Sequence, residues 1–218
     1  MIIVVGLPAY TESPDGERCA GGLGVEVASA ARLRGATVEL VGKVGDDGTG
    51  DAVVVALGRL GIGHAALLRD PARPTPVLAA AVMDADAAEV EGGGPEARLL
   101  PEDPDTRPAL EAADVEMALH YLPGAGVVIL ADPGSEAAVA AGVEGAAFAG
   151  ARLIVLVPAG TKPPSVPAGA TVLEAPADDD GSFGRLVGLF AGALDAGVDP
   201  AAAFREAVSA SGWEPVVD

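Results

Sequence analysis

Between Gly21 and Asp51 the sequence reads GGLGVEVASAARLRGATVELVGKVGDDGTGD, and this stretch limits the fold more than any other. A glycine-rich turn at Gly21, Gly22 and Gly24 leads into a helix of small residues through Ala28, Ala31 and Leu33. A β-branched run from Thr37 to Val41 follows, and then a polar glycine loop from Gly42 to Gly50. Glycines ahead of a helix let backbone come close to a ligand, because no side chain stands between. Turn, helix and strand in this order point to a small-molecule pocket at the ends of parallel strands.

The rest of the chain repeats that alternation. Ile2 to Val5 reads as a first buried strand, and Asp51 to Leu60 as a helix that Gly61 ends. After Gly63 to Leu68, the apolar run TPVLAAAVM from Thr75 reads as a buried strand. With the acidic turn at Asp84 and the segment Glu89 to Leu99, it makes a small β flap over residues 75–100. Gly92, Gly93 and Gly94 make a poor phosphate cradle, since no helix follows them. Pro101 to Pro108 is a solvated acidic linker. Helices over Leu110–Leu122, Ser135–Phe148 and Asp199–Ser211 alternate with strands Val127–Leu130 and Leu153–Val157. Such alternation argues for a parallel α/β sheet with helical crossovers, and residues 1–218 are long enough to fill one domain.

Composition removes several functions. The chain has 13 basic and 32 acidic residues and a net charge of −19, which opposes the phosphate neutralisation that nucleic-acid binding needs. Its apolar runs are too short to cross a membrane. One cysteine gives no internal disulfide, which fits a reducing cytoplasm. Half the residues are hydrophobic but only 3% are aromatic, so Ala, Val and Leu must fill the core. The sequence contains no Asn and no Gln, so no side-chain carboxamide can read a ligand. His64 and His120 lack a third partner at metal spacing and read as structural; no metal site is assigned. No Walker-type loop and no nucleophile elbow occurs.

Gly21, Gly22, Ala36, Gly42, Gly45, Asp47 and Gly50 together resemble the first signature of the ribokinase-like (PfkB-type) carbohydrate and nucleoside kinases. That signature is G-G-x-x-x-N before a helix, then A-x-x-x-x-x-G-x-x-G-x-D-x-x-G. Glu26 stands where the family has a sugar-contacting Asn. The resemblance implies a three-layer α/β/α, Rossmann-like domain with a mainly parallel sheet and a reduced β lid. Relatives carry a hydroxyl-binding Asp soon after the first strand; Thr11 falls near that position with Glu12 beside it, although both also read as an ordinary polar loop. The substrate-side candidates are therefore Thr11, Glu12, Gly21, Gly22 and Glu26. The connection from Thr11 to Ala20 is short where many relatives insert lid strands, so any lid is expected from elsewhere or in reduced form.

The segment from Asp178, DDDGSFGRLVGLFAGAL, resembles the family's second signature, D-T-x-G-A-G-D-x-F. Asp178 matches the first Asp and Gly181 the first Gly, while Ser182, Phe183 and Gly184 stand at the Ala, second Gly and catalytic Asp positions. The resemblance makes Gly181, Ser182, Phe183 and Gly184 the anion-binding candidates, and implies that the proton-accepting Asp is gone. It also places bulky Phe183 beside the phosphates. Asp195 lies about 16 Å further along a helix and cannot replace the base. Asp179 and Asp180 read as helix N-caps. Ala159 to Ala177 is too short for the strand–helix units that relatives carry there, and their Asn-x-x-Glu motif is absent. The expected protein is a degenerate carbohydrate-kinase-like module that binds a sugar, nucleoside or anion. The alternative is an active minimal kinase using ATP and Mg²⁺; no cofactor is otherwise assigned. The family's lid-mediated association implies a homodimer.

Overall fold

The computed structural model describes residues 1–12, 18–78, 106–176 and 181–212. Its centre is a six-stranded sheet in the order β5-β4-β1-β7-β8-β9. These strands are β1 (Ile2–Val5), β4 (Val38–Gly45), β5 (Leu67–Asp70), β7 (Val127–Leu130), β8 (Arg152–Pro158) and β9 (Thr171–Ala175). Every pairing within it is parallel. Parallel sheets are covered on both faces, which is why β1 and β7 read as unbroken apolar runs, IIVV and VVIL. Ile2 and Val4 point into one core while Ile3 and Val5 point into the other.

The first core is roofed by α1 (Leu23–Leu33), α2 (Gly48–Arg59), α5 (Ser182–Asp195) and α6 (Pro200–Ser211). The second is covered by α3 (Ala112–Tyr121) and α4 (Glu136–Ala149). This is the three-layer α/β/α arrangement. Helix ends follow the local chemistry: Ser135 accepts a hydrogen bond from Ala138 N–H at 3.1 Å to cap α4, and Gly150 closes it at φ 64°. Asp199 caps α6 ahead of Pro200.

Two expectations need correction. The connection after β1 does carry lid strands: β2 (Ala9–Glu12) and β3 (Arg18–Gly21) pair antiparallel, and β6 (Val77–Leu78) joins β2 in a separate three-stranded sheet. These strands are too short to show an alternation, and only their pairing defines them. The loop expected over Gly42–Gly50 is instead the end of β4 and the start of α2. The segment after β8, expected to be too short for strand–helix units, adds one edge strand, β9, that the sequence reading did not mark. The remainder of the proposed flap, the Gly92–Gly94 run, Asp178 to Asp180 and Trp213 lie outside the described residues.

The tightest helix contact lies between α1 and α5. Gly184, Gly188 and Gly192 recur every four residues on α5 and so form one ridge. A Cβ on Gly188 would strike the Val27 carbonyl oxygen and fall 2.6 Å from Ala30 Cβ; one on Gly192 would meet Arg34 Cβ at 2.8 Å. The backbones approach closely because the ridge has no side chains. Gly188→Ala is therefore expected to cost roughly 1–3 kcal/mol by overpacking against immovable backbone. Gly58→Ala, on the exposed side of α2 with only His64 at 3.9 Å, should instead stabilise by about 0.5–1 kcal/mol. Urea denaturation of both variants checks the opposite signs.

Candidate functional site

The first signature builds a knot at the base of α2. Asp47 is its N-cap and accepts from Gly50 N–H at 2.7 Å. It also accepts from Thr75 N–H at 2.8 Å and from the Thr75 hydroxyl at 2.8 Å. Thr75 Oγ1 in turn accepts from Gly45 N–H at 2.9 Å. The motif glycines exist to let these strands meet. A Cβ on Gly45 would fall 2.5 Å from Thr75 N, one on Gly42 2.7 Å from Gly6 O, and one on Gly50 would strike Gly45 O. Every polar atom of this loop that the network uses is spent internally, so the motif serves packing and capping here.

Burial alone would raise the Asp47 pKa, but the N–H groups of Thr75 and Gly50 and the Thr75 hydroxyl outweigh it and hold the carboxyl below its usual range. Asp70 behaves alike: burial opposes the charge, and N–H bonds from Ala72 and Arg73 with the Arg73 and Lys43 charges favour it. A carboxyl with a lowered folded pKa stabilises above its unfolded pKa of about 3.9 and loses that contribution as pH falls through the folded value. Asp47→Asn is thus expected to destabilise at pH 7 and to matter progressively less below about pH 4. Thr75→Val should cost about 1–3 kcal/mol by orphaning the buried Gly45 N–H. Denaturant melts across pH check both.

Toward the other end of α2 a cleft of about 440 Å³ opens between α1, α2 and the start of α5, with Cys19 and Ala20 of lid strand β3 at its edge. Val25, Glu26, Ser29, Ala30 and Leu33 of α1 line it, facing Ala56, Arg59 and Leu60 of α2 and Gly181 and Arg185 of α5. The α1 residues fall at helical spacing from buried Val25 to exposed Leu33, a span of about 12 Å at ~1.5 Å per residue.

Of the sequence candidates, the structure brings together Glu26, Gly181 and Gly184. Gly181 is the N-cap of α5 with φ 90°, the role assigned by sequence to Asp179 and Asp180. A Cβ on Gly184 would fall 2.8 Å from Glu26 Cβ and 3.0 Å from Glu26 Oε2, and one on Gly181 would be 3.8 Å from that oxygen. The space beside position 184 is thus filled by a carboxylate from α1. None of Glu26, Gly181, Ser182 and Phe183 is without a partner. Phe183 is only 2% exposed and belongs to the core, so its ring does not line the cleft. Thr11 lies apart, its methyl 3.1 Å from where a Gly21 Cβ would stand. Gly21 and Gly22 are buried at the entry to α1, and Gly22 caps it at φ 95°. The placement of the Glu12 side chain is not among the described features.

Sequence reasoning passed over Asp132. It follows β7 beside β1, where the sheet order reverses and α/β folds commonly bind ligands. Its φ of 88° is the only positive value for a non-glycine among the described residues, a strained conformation. Arg107 donates to its carboxylate at 2.9 Å, and Leu7 N–H to its carbonyl at 3.2 Å. An Asp before Pro at the end of a buried strand was the available signal. Among the described residues no group of three His, Cys, Asp or Glu could hold a metal. His64 Nδ1 contacts Ile62 O at 3.1 Å, and His120 stacks edge-on against Tyr121 at 5.7 Å.

No protein-family model matches the sequence, and a comparison with curated proteins finds no match. Solved structures do match. Arabidopsis thaliana ribokinase, complexed with ribose and ATP, aligns over 96% of this chain and 90% of its own, with TM-score 0.64 and 15% identity. The fold is that of the ribokinase-like, PfkB-type kinases. A PfkB protein from Polaromonas sp. JS666 aligns over 96% of this chain and 94% of its own, at TM-score 0.65 and 14% identity. An uncharacterized sugar kinase from Pyrococcus horikoshii aligns over 72% of this chain and 52% of its own, at TM-score 0.51 and 17% identity. No described helix is long and apolar enough to cross a membrane.

Proposed function

We propose that this chain is a ribokinase-fold module that binds a small molecule in the cleft beside α1 and has lost phosphoryl transfer. The observation that carries the reading is the contact at Gly184. This position, which in the kinases holds the proton-accepting Asp, is here the first rung of the glycine ridge, and α1 occupies the space a side chain would need. The N-terminal end of α5, which relatives use to stabilise phosphoryl charge, faces the Glu26 carboxylate, of the same sign as a phosphate. That charge fits ATP poorly.

The second reading, an active minimal sugar or nucleoside kinase, has one observation in its favour. Glu26 brings a carboxylate to the corner where the family's base would stand. A turnover assay separates the two. With ATP, Mg²⁺ and ribose, fructose or adenosine, the module is expected to show no phosphorylation; turnover above ~1 s⁻¹, in the ordinary enzyme range, would reverse the conclusion. Gly184→Asp is expected to leave activity absent and to lower stability, because its Cβ overlaps Glu26 Cβ at 2.8 Å.

The reading places the protein in the cytoplasm as a homodimer joined through the lid. Val77 on edge strand β6 is 58% exposed, which leaves an apolar edge for a second copy. Light scattering at high micromolar concentration should give twice the chain mass, and a monomer there would remove the dimer from the proposal.

A further inference from the structure

The central sheet ends in a strand built like an interior one. Among the described residues β9 pairs only with β8, so its outer row of N–H and C=O groups meets no other strand. Along Thr171–Ala175 the side chains alternate between the two faces. Leu173 and Ala175 pack against the first core and Val172 against the second, yet none of the five residues is fully buried. Apolar residues on both faces suit a strand with a neighbour on each side, whereas sheet edges are commonly blunted by Lys, Pro or a bulge. β9 contains no Lys and no Pro, and its register with β8 is unbroken. Its one charged residue, Glu174, is held within its own molecule, where the carboxylate accepts from Gly160 N–H at 2.6 Å. The other described edges offer less: β5 has four residues, β6 has two, and β3 lies against α2.

We infer that the outer edge of β9 is a self-association surface that pairs antiparallel with β9 of a second copy and joins two central sheets into one. The inference is independent of what the cleft binds, and it names a contact other than the lid edge at Val77. The occupant follows from the strand's self-complementarity. A two-fold axis through Leu173 sets Leu173 against the second copy's Leu173, Thr171 against its Ala175, and Val172 against its Glu174. Opposed residues of an antiparallel pair share a face, so Leu173 meets its own kind on the first face of the sheet. No carboxylate stands directly opposite another, an arrangement that copies of a chain with net charge −19 need if they are to meet at all. A ladder of this length spans about 17 Å at ~3.4 Å per residue. It falls short of the roughly 1,200 Å² that stable complexes bury, so the pairing is weak, with a dissociation constant on the order of 1 mM.

Sedimentation equilibrium of the full chain tests this from about 0.05 to about 2 mM, a range that brackets that constant. The average mass is expected to rise with concentration above its dilute value, whether that value is one chain or the lid pair. The rise should be larger at higher salt, where repulsion between acidic copies is screened. Leu173→Lys opposes two ammonium groups at the axis and should hold the mass at its dilute value. Its melting temperature should stay nearly unchanged, because Leu173 is partly exposed. Val77→Lys should leave the rise in place. In the unsubstituted chain, amide exchange over residues 171–175 should slow by about twofold between dilute and concentrated samples, while that of buried β1 stays constant. This measurement needs no variant, so a misfolded Leu173→Lys leaves the test intact. The inference is overturned if the mass stays flat up to about 2 mM, if folded Leu173→Lys associates like the unsubstituted chain, or if exchange over 171–175 ignores concentration. A rise lost in Val77→Lys and kept in Leu173→Lys assigns the association to the lid, which leaves the homodimer standing and removes the β9 contact.

Discussion

The close approach of α1 and α5 is the contact on which the rest of the molecule depends. Two helices this near need one surface free of side chains, and Gly184, Gly188 and Gly192 provide it. The approach sets where Glu26 lies relative to the start of α5, and so it sets the polarity of one end of the cleft. It also ties position 184 to packing. Position 184 cannot carry a side chain without moving α1, so its identity and the core geometry at that point are a single variable.

The cleft is built from groups of opposite sign held by different elements. Glu26 is carried by α1, whose position the glycine ridge fixes, while Arg59 and Arg185 reach in from the last turn of α2 and the first turn of α5. None of these helices alone offers a recognition surface. Their arrangement, with the β3 edge at Cys19 and Ala20, brings charges of both signs to one cleft.

Much of the central sheet was legible because a buried parallel strand leaves a distinctive trace. Val127–Leu130 was read to the residue, and Ser135 and Asp199 announced the starts of α4 and α6. The lid was less legible. Ala9–Glu12 and Arg18–Gly21 are four-residue strands whose identity lies in their mutual pairing, which no local pattern encodes. The edge strand Thr171–Ala175 is only half buried and follows a proline-rich stretch, so it lacked the apolar run that marked its neighbours. The site was half legible. Comparing residues 181–184 with a motif put Gly184 at the position of the family's catalytic Asp but said nothing of what lies beside it. The four-residue recurrence of glycine along α5 was visible in the same segment and carried the other half, namely that the space was already filled.

The knot at Asp47 gives the lid a mechanical property. Thr75 stands two residues before β6, and it is bonded through both its N–H and its hydroxyl to the carboxylate that caps α2. β6 is in turn hydrogen-bonded to β2. The lid sheet and the helix that walls the cleft therefore share one fastening. Lifting β6 at its root would strain the N-terminal end of α2, and the amide protons of Gly45, Gly50 and Thr75 would exchange with solvent together, as one opening unit.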